Sequence, residues 1–138
     1  MVSHTLNNLL HVHKETLHRY TQALRGSKQM EETVKSIFER VIEESRKCII
    51  ELTGKIPGEK KEQSKKVQLD NTEIKMNTAI DKKTMLAHCA DDVLSIHAEY
   101  SKDLSFIGSN HELNDILTRQ QHSLYDLYQH IKDFHDAQ

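Results

Sequence analysis

The chain has 138 residues, 19 Lys and Arg against 21 Asp and Glu, and a formal net charge of −2 with its ten histidines neutral. That length suits one domain, and the near-neutral balance lacks the basic footprint of a nucleic-acid binder. Four Gly, one Pro and no Trp disfavour an all-β sandwich or barrel with its many tight turns, and no apolar run approaches the ~18 residues of a membrane span.

The breaks come first. Every glycine and the only proline fall at three places: Gly26, the group Gly54, Pro57 and Gly58, and Gly108. Each reads as a helix stop followed by helix-start chemistry. Ser27 precedes a Glu-rich stretch, Asp70 has Glu73 three residues on, Asp81 opens another run, and Ser109 with Glu112 has the spacing of a capping box. The pattern predicts four long helices near 3–25, 28–53, 82–106 and 110–136, with a short one near 71–80.

In the first segment Leu6, Leu10, Leu17 and Leu24 share a 3.6-residue stripe with His13 and Tyr20. The second carries Val34, Ile37, Phe38, Val41, Ile42, Cys48, Ile49 and Leu52. A polar, basic connection over 54–70 follows, with five Lys against two Glu between residues 55 and 66, long enough to run the length of a bundle as a crossover. The third long segment repeats Met85, Cys89, Val93, Ile96, Tyr100 and Leu104, and the last Leu113, Ile116, Leu117, Leu124, Leu127, Tyr128, Ile131 and Phe134. Each segment has one apolar face and one wet face, so the four bury a single core. The expected fold is all-α: one four-helix bundle domain over residues 1–138, with a long connection between helices 2 and 3 of the kind found in ferritin-type bundles.

Three short stretches carry a resemblance. LNNLLHVHKETLHRYTQAL, residues 6–24, resembles the opening helix of a bacterial family of ferritin-like proteins of unknown function, through Leu6, Asn7, Leu9, Glu15 and Tyr20. KSIFERVIEESRKCIIEL, residues 35–52, looks like that family's second helix through Lys35, Phe38, Arg46 and Leu52. MLAHCADDVLSIHAEY, residues 85–100, resembles the third through Cys89 and Tyr100. Where family members commonly carry Gly-Glu, this chain has Asp92-Val93, which removes a candidate metal-ligating carboxylate. The resemblance implies a ferritin-like fold and no defined activity.

A dinuclear metal centre in such a bundle needs a Glu from each of two helices and a Glu-x-x-His pair from each of the other two. The sequence has one Glu-x-x-His, at Glu15 and His18, turned away from the leucine stripe, and Gln120 stands on the last helix between Leu113 and Leu127. No dinuclear iron centre is expected. His11, Glu15 and His18 are neighbours on the outer face of the first helix and form the one weak surface candidate for a single transition-metal ion. The stripes carry polar residues instead: His13, Tyr20, Ser45, Tyr100 and Gln120. Buried together, these would form a hydrogen-bonded network fixing helix register, with a small-ligand or proton-transfer pocket as the sharper alternative.

Cys48 and Cys89 lie at apolar spacing and read as reduced, buried thiols. With no basic segment followed by an apolar stretch at its start, the chain is expected in the cytoplasm. There is no Gly-rich phosphate loop, nucleophile motif or Cys-x-x-Cys pair. The expected role is non-catalytic binding or assembly without a cofactor, a homo-oligomer being one form of it, and with no nucleic acid or membrane as partner. The alternative is a metal-dependent redox or iron-handling protein using iron or another transition metal.

Overall fold

A computed structural model describes residues 2–26, 31–56, 82–108 and 110–137, and among these all regular structure is helical. The helices are α1 (Val2–Gly26), α2 (Glu32–Lys55), α3 (Lys82–Ile107) and α4 (His111–Asp136). Each buries one stripe and wets the other, as expected for a four-helix bundle.

Side-chain contacts fix the helix directions. His13 meets Tyr100 while Tyr20 meets Asp92, so rising numbers on α1 meet falling numbers on α3 and the two are antiparallel. Lys55 pairs with Glu112, and Glu51 with Arg119, which makes α2 and α4 antiparallel. Lys82 pairs with Glu31 at 3.1 Å, so α2 and α3 start at the same end and run parallel. The closest packing is α1 on α2 and α3 on α4.

The helix ends differ in detail from the sequence pattern. Gly54 does not stop α2, which continues to Lys55 and turns out at Ile56, a buried residue in extended conformation. Gly108 does end α3, with φ +65°, a conformation that costs glycine nothing. The cap of α4 is Asn110, whose Oδ1 accepts from the Leu113 N–H at 3.1 Å. The expected cap Ser109 lies outside the described residues, and the Glu112 carboxylate pairs with Lys55 on the neighbouring helix. The expected cap Ser27, the 71–80 helix and nearly all of the 54–70 crossover lie outside the described residues.

The buried stripes of the two helical hairpins repeat. On α1 and α3 they coincide 80 residues apart, pairing Leu6 with Leu86, Leu10 with Ala90, His13 with Val93, Tyr20 with Tyr100 and Ala23 with Asp103. On α2 and α4 they coincide 79 apart, pairing Val34 with Leu113, Phe38 with Leu117, Val41 with Gln120, Cys48 with Leu127 and Leu52 with Ile131. The stripes on α1 and α3 also sit slightly off the expected ones: Thr16 and Asp103 are buried, whereas Leu17, Leu104 and Met85 are half-buried.

Candidate functional site

The five polar residues on the apolar stripes, His13, Tyr20, Ser45, Tyr100 and Gln120, are all buried. They do not form one network. Three of them meet at the centre of the bundle. His13 Nε2 lies 2.6 Å from the Tyr100 hydroxyl, which donates to Gln120 Oε1 at 2.6 Å. Gln120 Nε2 donates in turn to Glu51 Oε1 at 2.7 Å, and Arg119 donates to Glu51 Oε2 at 2.5 Å. One chain of hydrogen bonds therefore draws a residue from each helix: His13 from α1, Tyr100 from α3, Gln120 from α4 and Glu51 from α2.

Tyr20 belongs to a second, shorter group. Its hydroxyl donates to Asp92 Oδ2 at 2.6 Å, Arg19 approaches the same oxygen at 3.4 Å, and its ring packs on Phe38 with centroids 4.8 Å apart. Ser45 is buried on α2, and no hydrogen bond ties it to either group among the described residues.

Each thiol stands beside one of these phenols, Cys48 by Tyr100 and Cys89 by Tyr20. Burial is the main reason both thiols are pushed up to about 12, so they stay protonated and act as small apolar groups with a weak donor. Both are free. Burial likewise raises both phenols well above their usual range, so neither ionises at neutral pH. The same desolvation lowers His13 to about 4 and keeps its imidazole neutral. His13 Nδ1 is buried without a hydrogen-bond partner.

At its outer end the central chain opens into a groove of about 530 Å³ between α2 and α4, lined by Glu44, Lys47, Cys48, Ile50, Glu51, Arg119, Gln120 and Ser123. Desolvation works to raise the Glu51 carboxyl, but hydrogen bonds from Arg119 and Gln120 and the charges of Arg119 and Lys55 outweigh it and hold the group below the usual range. Glu44, half-buried in the same groove, is raised because desolvation exceeds the opposing pull of Lys47 and Arg40.

The residues of the surface metal candidate stand on α1, with His11 and His18 exposed. His11 Nε2 and Glu15 Oε2 are 3.8 Å apart, and among the described residues no three His, Cys, Asp or Glu side chains gather in a metal-binding arrangement. Sequence reasoning missed Glu51, the partnership of Asp92 with Tyr20, and the burial of Asp103. Glu51 and Asp92 flank their stripes and enter hydrogen bonds only through the register of neighbouring helices, while Asp103 is buried with Oδ2 unpartnered one position from the expected Leu104. No helix of the described residues is long and apolar enough to cross a membrane. Comparison of the chain with protein-family models, with curated proteins and with solved structures finds no match.

Proposed function

We propose that this chain is a ferritin-like bundle that has given up metal chemistry and acts in the cytoplasm by binding or assembly. The helix directions support the ferritin-like part. With α2 and α3 parallel, the end of α2 and the start of α3 lie at opposite ends of the bundle, as in folds that use a long crossover.

One observation carries the non-catalytic part: the inward groups at the centre are already bound to one another. A dinuclear site needs anionic oxygens aimed at a shared point, because uncompensated divalent charge is prohibitively costly to bury. Here the centre holds a neutral imidazole, a neutral phenol and an amide. Two carboxylates joined to these groups are engaged at the margins, Glu51 by Arg119 and Gln120, and Asp92 by Arg19 and Tyr20.

The assembly reading is supported by two large apolar side chains left in water, Ile50 at 68% exposure and Phe106 at 65%, near the C-terminal ends of the parallel helices α2 and α3. Anaerobic iron loading followed by elemental analysis tests the first half. The expected result is at most one weakly held metal per chain, lost on His11→Ala with His18→Ala, and two tightly held irons surviving that change would overturn the reading. Size-exclusion chromatography with light scattering tests the second half. An oligomer that dissociates on Ile50→Ser with Phe106→Ser is expected, and a monomer at all accessible concentrations would remove assembly between copies.

A further inference from the structure

The bonds of the central chain have a direction, and that direction is imposed from its outer end. A carboxylate accepts and does not donate, so the Gln120 atom 2.7 Å from Glu51 Oε1 has to be the amide nitrogen. The carbonyl oxygen of Gln120 then faces Tyr100, and the phenol 2.6 Å away must give its only proton to it. With that proton committed, the Tyr100 oxygen can only accept from His13, so His13 Nε2 carries the N–H. Nδ1 is left as a bare lone pair, buried and unpartnered.

We propose that Glu51, at the surface groove on α2, sets the tautomer of His13 in the core of α1, acting through Gln120 of α4 and Tyr100 of α3. No contact of His13 itself selects the tautomer, because its other ring nitrogen has no partner to prefer either a proton or a lone pair. Selection comes from the groove end, where Arg119 helps to keep Glu51 ionised. The four helices thus share one orientable element with two arrangements. In the first, every donor points toward Glu51. In the second, the Gln120 amide is flipped, the phenol donates to His13 Nε2 and the proton of the ring sits on Nδ1. Whatever in the groove takes Glu51 Oε1 away from Gln120 is consequently felt at His13.

The shorter group contains no such element. Tyr20 donates directly to Asp92, with no amide or imidazole to reverse.

Nitrogen NMR of the ¹⁵N-labelled full chain at neutral pH tests the proposal, the His13 ring being assigned by its disappearance in His13→Val. In the unsubstituted protein, Nε2 is expected protonated and Nδ1 bare. Glu51→Gln replaces one oxygen by an NH₂ group without changing shape. Arg119 retains the remaining oxygen, the new NH₂ faces Gln120, and the chain reverses, so the Nδ1–H tautomer becomes dominant. Glu44→Gln, in the same groove but outside the chain, leaves His13 unchanged. An Nδ1–H tautomer in the unsubstituted protein would overturn the proposal, whether or not any variant folds. So would an Nε2–H tautomer that persists in Glu51→Gln.

Discussion

The two hairpins bury the same positions but fill them differently, and the difference is concentrated around two tyrosines. Tyr20 and Tyr100 occupy equivalent places on α1 and α3, yet Tyr100 meets His13 and Gln120, while the positions equivalent to those two hold Val93 and Val41. A phenol with apolar neighbours inside must turn outward for a partner, and Tyr20 does so to Asp92 at the edge of α3. Tyr100, supplied with partners inside, stays in the centre and links all four helices. Buried polar groups are costly when unpaired and modest when paired, so the partners that His13 and Gln120 supply are what let the Tyr100 phenol stay in the centre.

The largest expected effect breaks this comparison through pH. His13 is held neutral by burial at about 4, whereas an unfolded chain takes up its proton near 6.5. Between those values the unfolded state binds more protons, so stability is full above 6.5 and falls as the pH drops toward 4. At about 1.4 kcal/mol per pH unit the loss attributable to His13 is about 3 kcal/mol. Glu44 and Asp103 have carboxyls raised by desolvation and give the opposite slope, whereas His130, lowered mainly by desolvation, adds to the fall, so the total change does not by itself give the His13 part. Chemical denaturation of the unsubstituted chain and of His13→Val across this range isolates it. The variant should lack that share of the fall, and parallel curves would show that His13 is not held neutral.

A smaller effect sharpens the comparison between the phenols. Tyr100→Phe strands two buried groups, the His13 N–H and the Gln120 carbonyl, and should cost about 2–3 kcal/mol. Tyr20→Phe leaves Asp92 half-exposed, still beside Arg19 and open to water, so about 1 kcal/mol is expected. Equal losses in denaturant titrations would mean that His13 and Gln120 give Tyr100 no special support.

These differences show which parts of the molecule were legible in the sequence. The four long helices and the burial of His13, Tyr20, Ser45, Tyr100 and Gln120 follow from spacing alone, because a 3.6-residue period states which face a side chain takes. Partnership does not follow from spacing. Whether Tyr20 reaches Asp92 or Gln120 depends on the axial register of helices that are far apart in sequence. Glu51 was hidden for the same reason: it flanks the stripe and becomes part of the core chain only because Gln120 and Arg119 stand opposite it on α4. Asp103 shows the converse error, since a Leu at 104 attracted the stripe by one residue while packing placed the carboxylate inside.

The smallest effect concerns how the second helix of each hairpin begins. Ser109 and Asn110 are both good capping residues, so local chemistry alone leaves the start of α4 uncertain by one position. Asn110 takes the role, its Oδ1 accepting from the Leu113 N–H, while Glu112 pairs with Lys55 on the neighbouring helix. The corresponding residue of α2 is Glu31, whose side chain makes no cap hydrogen bond and instead pairs with Lys82. Removing a used cap costs about 1 kcal/mol, whereas an exposed ion pair contributes about 0–1 kcal/mol and weakens with salt. Asn110→Ala is therefore expected to lower stability by about 1 kcal/mol at any ionic strength, and Glu31→Ala by less than about 0.5 kcal/mol, vanishing in high salt. Paired denaturation curves at low and high salt decide it: a salt-dependent loss in Asn110→Ala would show that charge, and not the cap, holds the start of α4.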